Sequence, residues 1–292
     1  MQQEPSNADS IHKGEDVSYI AIPEGSWIAL YDLVSGNGVR IEAGRFQTNK
    51  WLGGDVAVEA GGQWTVVTYY HPFNTPPVVF TQIQDYTYTG FAHTRIHNVG
   101  IDRFGTSPEP QGDKPPQNVM VTIGWVAVEK HVASGFSEAG VKKNVDDVYT
   151  RIDFQQVYTQ KPHVIAWMQT YEGTGSAGVR GSNLSTDGIE VCIEEDGTYD
   201  SEKDHVFEDV GYYAIRGDIN NIYLQKYVDP PPTITIGSEV RLLIGGLIEY
   251  TETIPYMNVH NLNYHGLLLV ILVVSTISLS FIIMCRRREL HM

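Results

Sequence analysis

The sequence predicts an all-β chain, two tandem antiparallel β-sandwiches followed by one transmembrane α-helix. Three observations predict it. No window before residue 266 carries a sustained apolar period of 3.6, whereas short β-branched and aromatic runs separated by Gly, Pro, Asn and Asp recur. Those runs occur twice in the same order. The last part of the chain holds a long apolar segment without a charge.

The strand runs come first. Val78-Val79-Phe80-Thr81-Gln82-Ile83 follows Pro76-Pro77, and Val119 to Val128 is a longer β-branched stretch. A Pro fits the first position of a strand, where no ladder donor is needed. The closing run around Gly124 fits a central strand covered on both faces.

The repeat follows from anchors at a nearly fixed spacing. Pro77 recurs as Pro162, Val79 as Val164 and Arg95 as Arg180, each 85 residues on. Gly124-Trp125 recurs as Gly211-Tyr212, 87 residues on. A Gly-turned short strand precedes each copy, Ile41-Glu-Ala-Gly44 and Val132-Ala-Ser-Gly135. The expected organisation is an arm with strands over residues 1–40, sandwiches over 41–131 and 132–218, and a β stalk over 219–257. A polar tether over 258–265, the transmembrane helix over 266–285 and a basic tail over 286–292 complete it.

Gly266 to Cys285 is uncharged, and its 20 residues span ~30 Å as a helix, the thickness of a bilayer's hydrocarbon core. Arg286, Arg287 and Arg288 follow at once, and the flank from Asn258 to His265 has neither Lys nor Arg. That asymmetry predicts a single-pass protein with its body outside and a short tail inside. The first residues lack the basic start and apolar stretch of a signal peptide. A tail-anchored scaffold facing the cytosol is therefore the other topology. Cys285, beside the arginines, is a palmitoylation candidate, with an inert small apolar residue as the alternative.

Composition excludes several classes. Lys and Arg number 20 against 35 Asp and Glu, a formal net charge of −15. With no basic run before the tail, nucleic acid is not an expected partner. Two cysteines, Cys192 in the body of the chain and Cys285 near its end, make no disulfide framework. No P-loop, Gly-x-Ser-x-Gly or His-Glu-x-x-His is present, so no enzyme, catalytic residue or cofactor is expected.

The pattern resembles the H-type lectin family, the fold of the snail agglutinin and of the discoidin C-terminal domain. The first copy supplies Tyr70, Phe73, Pro77, Val78, Val79, Arg95, Phe104, Trp125, Ala127 and Glu129. The second supplies Phe154, Tyr158, Pro162, Val164, Arg180, Gly188, Ile189, Tyr212 and Ala214. The resemblance implies six-stranded sandwiches that assemble as trimers, with sugar held partly by the central-strand Arg. The family's aromatic-His pair is not evident where it should fall. The sugar candidates are therefore Arg95 with His93 or His97, and Arg180 with Tyr199 or His205. Each Arg has an alternative role, an ion pair with a nearby carboxylate that ties two loops together.

No metal is expected. On a strand His93 and His97 share a face but sit ~13 Å apart at ~3.3 Å per residue, too far for one zinc. The acidic loop from Glu194 to Asp204 lacks the order of an EF-hand and reads as solvated, with calcium as its alternative. Asn183-Leu184-Ser185 is a glycosylation sequon. The chain is thus expected to be a membrane-anchored surface protein for adhesion or receptor recognition, suited to a cell surface or a viral envelope. A glycan or a surface protein is its expected ligand. The alternative is a structural surface-layer or virion-envelope protein whose lectin-like domains only oligomerise.

Overall fold

A computed structural model describes residues 18–32, 36–53, 63–110, 116, 118–173, 176–195, 204–219, 221–228, 239–243 and 249–250. The described residues are all-β. The first strands are β1 (Gly25–Asp32), β2 (Asn37–Thr48), β3 (Thr65–Thr68), β4 (Val78–Ile83), β5 (Ala92–His97), β6 (Arg103–Pro110) and β7 (Val121–Val128). Next come β8 (His131–Ala133), β9 (Ser137–Val145), β10 (Thr150–Asp153), β11 (His163–Met168), β12 (Ala177–Ser182), β13 (Gly188–Glu195) and β14 (Glu208–Ile215). Last are β15 (Asn221–Lys226), β16 (Glu239–Leu243) and β17 (Glu249–Tyr250).

The first sandwich packs β2-β7-β4 over β3-β6-β5, and the second packs β9-β14-β11 over β10-β13-β12. The strand order is the same in both, so the duplication is one of structure as well as of sequence. Pro77 and Pro162 each precede the third strand of their copy, and Gly124 and Gly211 lie on the central strands. Arg95 and Arg180 sit on equivalent strands in equivalent register, opposite Ser107 and Cys192.

The central strand β7 is buried on both faces. Trp125 and Ala127 point into the first core with Val67, Tyr69 and Phe104. Val126 and Val128 point outward, into a second core shared with Tyr213, Ile215, Ile165 and Trp167 of the second sandwich. A strand enclosed on both sides reads as an unbroken apolar run, as this one does.

One anchor of the repeat shifts. The counterpart of Glu42-Ala43-Gly44 on β2 is Glu138-Ala139-Gly140 on β9, not Val132 to Gly135. A Cβ on Gly44 would meet the Trp125 ring at 2.8 Å, and one on Gly140 would meet Tyr212 at 2.9 Å. Gly135 lies in the β8–β9 turn at φ +72°, matching Gly36 after β1. The link from β2 to β3 is longer than that from β9 to β10, and this breaks the constant spacing.

The repeated glutamates explain the repeated loops. Glu42 is wholly buried and accepts from the backbone N–H of Tyr70 (2.7 Å) and His71 (3.1 Å). Glu138 accepts from Gln155 (3.0 Å) and Gln156 (3.2 Å), the same positions one repeat on.

The expected arm and stalk do not stand apart from the first sandwich. β15 pairs with β1, and both extend its sheet in the order β17-β16-β15-β1-β2-β7-β4. Ile222 and Leu224 bury in the shared core, so burial holds these segments to it. Among the described residues no helix is long and apolar enough to cross a membrane. The expected membrane segment, tether and basic tail lie outside the described residues.

Candidate functional site

Alternation along β5 puts His93, Arg95 and His97 on its outer face, while Thr94 and Ile96 turn inward. Arg95 Nη1 reaches Glu109 Oε2 on β6 at 2.7 Å. On β12 and β13, Arg180 Nη1 reaches Glu194 Oε1 at 2.7 Å. Both pairs use positions 85 residues apart. Each copy therefore carries one cross-strand Arg–Glu pair on the outer face of its second sheet.

The surroundings of the two pairs differ. Arg95 and Glu109 have no exposed side-chain surface, because the second sandwich covers them. Arg95 Nη2 meets Glu208 Oε1 at 3.0 Å and the carbonyl of Gly173 at 3.4 Å. The Tyr171 ring lies 4.5 Å from the guanidinium carbon, and its hydroxyl donates to Glu109 Oε1 at 3.2 Å. Glu208 also accepts from the Thr170 hydroxyl and from the backbone N–H of Glu172 at 2.9 Å. This cluster is a clamp between sandwiches. A buried cation of this kind is sustained only by full pairing.

His205 belongs to this clamp. Its ring bonds Glu195 through Nδ1 and approaches Glu208 through Nε2 at 3.4 Å. Burial pushes the imidazole down, but hydrogen bonds to Glu208 and Glu195 outweigh it and leave the pKa raised. Burial pushes Glu208 up, and His205, Arg95 and Thr170 more than reverse this, leaving it lowered. Glu109 is raised by burial, which the adjacent Arg95 only partly offsets.

These directions fix the signs. The raised His205 contributes stability that is complete below about pH 6.5 and is lost as pH rises through its folded value. The lowered Glu208 contributes stability that is present above about pH 4.5 and is lost on acidification, where the raised Glu109 acts in the opposite sense. The alkaline limb is therefore the clean one. The melting temperature should fall from about pH 6.5 upward. His205→Gln should remove that decline, measured as parent minus variant. Equal slopes in both would exclude His205 as its source.

Arg180 stands in the open. It and Glu194 are each 49% exposed, beside Tyr149 at 46%. Tyr149 occupies the place of Trp64, which is buried, stacks on His97 at 3.8 Å and meets Tyr171 edge-on at 5.2 Å. The first copy's aromatic and guanidinium are thus consumed in docking, while the second copy's are accessible.

The expected sugar residues are distributed accordingly. His205 joins Arg95 rather than Arg180, and Arg95 is wholly buried, so neither offers a surface to a ring. His97 stacks on Trp64, and His93 packs on Phe91 at 4.7 Å. Tyr199 and Cys285 lie outside the described residues. Asn183 is exposed at φ +50°, and its side-chain amide donates to Glu190. Glu194 and Glu195 of the acidic loop pair with Arg180 and His205. Among the described residues no group of three side chains is arranged for a metal.

Tyr171, Glu208 and Tyr149 escape sequence reasoning. A signal for Tyr149 exists, since the 85-residue spacing links it to Trp64. Tyr171 and Glu208 become partners of Arg95 only through the docking of the two copies. Between the sandwiches a cleft of about 650 Å3 is lined by Arg45, Gln82, Gln84, Val164, Ile165 and Trp167 among others, with residues 18–22 along one side.

A 214-residue stretch is 29% identical to halomucin of Haloquadratum walsbyi (strain DSM 16790 / HBSQ001). That alignment covers 70% of this chain and 2% of halomucin, so the chain spans only a small part of that protein's length. No family model matches the chain, and no solved structure matches it.

Proposed function

We propose that this chain is a non-enzymatic recognition protein of an outer surface. Two H-type-lectin-like sandwiches form one clamped head, held at a membrane by residues 266–285 with its body outside. The exposed Arg180 face of the second sandwich is its binding surface. One observation carries this reading. The same Arg–Glu pair is closed over in the first copy and accessible in the second, next to an exposed tyrosine. A guanidinium, a carboxylate and an aromatic ring on one face suit either a saccharide or a protein surface. The strand order repeated in both copies supports the lectin-like reading, and the mucin name of the similar protein supports a surface location.

A glycan array probed with the full chain in lipid nanodiscs tests the saccharide case. Arg180→Ala should weaken binding by about tenfold, which is ~1.4 kcal/mol. Absence of binding to every saccharide would remove the carbohydrate reading. The surface-layer reading, in which this face meets protein, would remain. A specific observation favours that second reading, because in the first copy the equivalent face already binds a protein surface, the second sandwich.

A further inference from the structure

A strand at the edge of a sheet turns alternate backbone N–H and C=O groups away from its neighbour. β4 and β11 are such edges, one in each sandwich. Alternation assigns their outward groups. Gln84 and Gln169, one residue past each strand, donate inward, to the carbonyls of Thr122 and Asp209. Counting back by twos from the residue before each, Thr81 and Val79 face outward on β4, and Ala166 and Val164 on β11.

On β4 the outward groups have partners. The Gln169 amide accepts from Val79 N–H at 2.8 Å and donates to the Val79 carbonyl at 2.7 Å. That is the exchange a residue of an antiparallel strand makes. The Thr94 hydroxyl donates to the Thr81 carbonyl at 2.9 Å. On β11 the counterpart of Thr94 is Val179, which has no hydroxyl. Among the described residues β11 pairs on one side only, with β14, and no side chain stands at Val164 as Gln169 stands at Val79.

The edge is also unguarded by its own sequence. His163–Met168 holds no Pro, Lys, Arg, Asp or Glu, the residues that commonly blunt an edge. β10 and β12, edges of the other sheet of this sandwich, carry Arg151 and Asp153, and Arg180. What shields β11 is its position. Val164 and Ala166 line the cleft of about 650 Å3, whose floor is the outer face of β2, β7 and β4 at Arg45, Gly124 and Gln82, and along whose other side residues 18–22 run. A space of this size suits a short segment, not the edge of a folded sheet.

We infer that the cleft binds an extended, uncharged peptide segment of another polypeptide, added antiparallel to β11 as one more strand of its sheet. Two residues of the segment, opposite Val164 and Ala166, each exchange both backbone bonds, as the Gln169 amide does with Val79. The residue between them, opposite Ile165, turns its side chain to the floor at Gln82 and Gln84. The charged groups of the lining, Glu24 and Arg45, pair with each other at 2.5 Å, so a charge on that residue has no partner. This site lies on the other sheet of the sandwich from Arg180 and does not depend on the reading of the Arg180 face.

An array of blocked hexapeptides without Lys, Arg, Asp or Glu, applied to the full chain in lipid nanodiscs, tests this. A subset should bind and slow hydrogen exchange at the Val164 and Ala166 amides at least about tenfold. The Ile165 and Trp167 amides, turned to β14, should already exchange slowly without peptide. In the tightest hexapeptide, N-methylation at a residue facing Val164 or Ala166 should weaken binding at least about tenfold, because a backbone acceptor then stays unpaired. N-methylation at the residue between them should change it less than about twofold. Ala166→Pro removes one outward donor and keeps the ladder to β14, so it should weaken binding by a like factor. Should that variant not fold, the methylated peptides decide alone. Binding by no hexapeptide, equal effects of methylation at every position, or protection away from β11 would each overturn the inference. Slow exchange at Val164 and Ala166 in the chain alone would also overturn it, by showing the edge taken by a segment of the same chain.

Discussion

Replacing Arg95 by alanine is expected to destabilise the protein by about 3–5 kcal/mol, the range for breaking a buried charge network by removing one partner. The guanidinium touches two carboxylates that have no exposed surface, Glu109 and Glu208. Without it both remain buried with their main cation gone, and the Tyr171 ring loses the group it covers. The damage falls at the contact between sandwiches rather than within either core. Denaturant unfolding of the full chain in detergent should therefore turn from one transition into two. Arg180→Ala removes the equivalent residue from a half-exposed pair, where screening leaves about 0–1 kcal/mol at stake. Equal losses for the two variants would show that the clamp does not carry the docking.

Glu42→Ala is expected to cost a comparable amount, about 3–5 kcal/mol. This wholly buried carboxylate pairs with Arg40 and accepts from the Ser26 hydroxyl at 2.9 Å and from two backbone N–H groups of the Tyr70–His71 turn. Its removal takes that acceptor from the Ser26 hydroxyl and from the Tyr70 and His71 N–H groups, and leaves Arg40 without its carboxylate, with the carbonyls of His71 and Pro72 as its remaining partners. Glu138→Ala should cost less, about 1–3 kcal/mol. Glu138 accepts from Gln155, Gln156 and the Tyr212 hydroxyl without a comparable arginine among these partners. Thermal unfolding of both variants gives the order. A larger loss at Glu138 than at Glu42 would refute the assignment of the extra cost to Arg40.

Much of the architecture is legible along the chain. β-Branched runs between turn residues mark strands, and burial on both faces explains why β7 reads as an unbroken apolar stretch. The spacing of 85 predicts equivalent places for Pro77 and Pro162, and for Arg95 and Arg180, which the strand order bears out. The spacing fails at Gly44, because a longer link between β2 and β3 carries the true counterpart on to Gly140. Periodicity registers only residues separated by a fixed interval.

The sequence by itself determined the all-β class, the doubled sandwich and the equivalent places of Arg95 and Arg180, because these depend on local alternation and on a repeat that can be counted. Only the tertiary structure decided what each pair does. Two identical pairs became one sealed clamp and one open face because the second sandwich docks on the first, while among the described residues nothing equivalent docks on the second. Burial of a side chain is set by what packs over it from a distant part of the chain. Glu208, 113 residues from Arg95, meets it only after both copies have folded. β15, reading as part of a separate stalk, likewise joins the first sandwich because its apolar face, Ile222 and Leu224, buries in the core that both copies share.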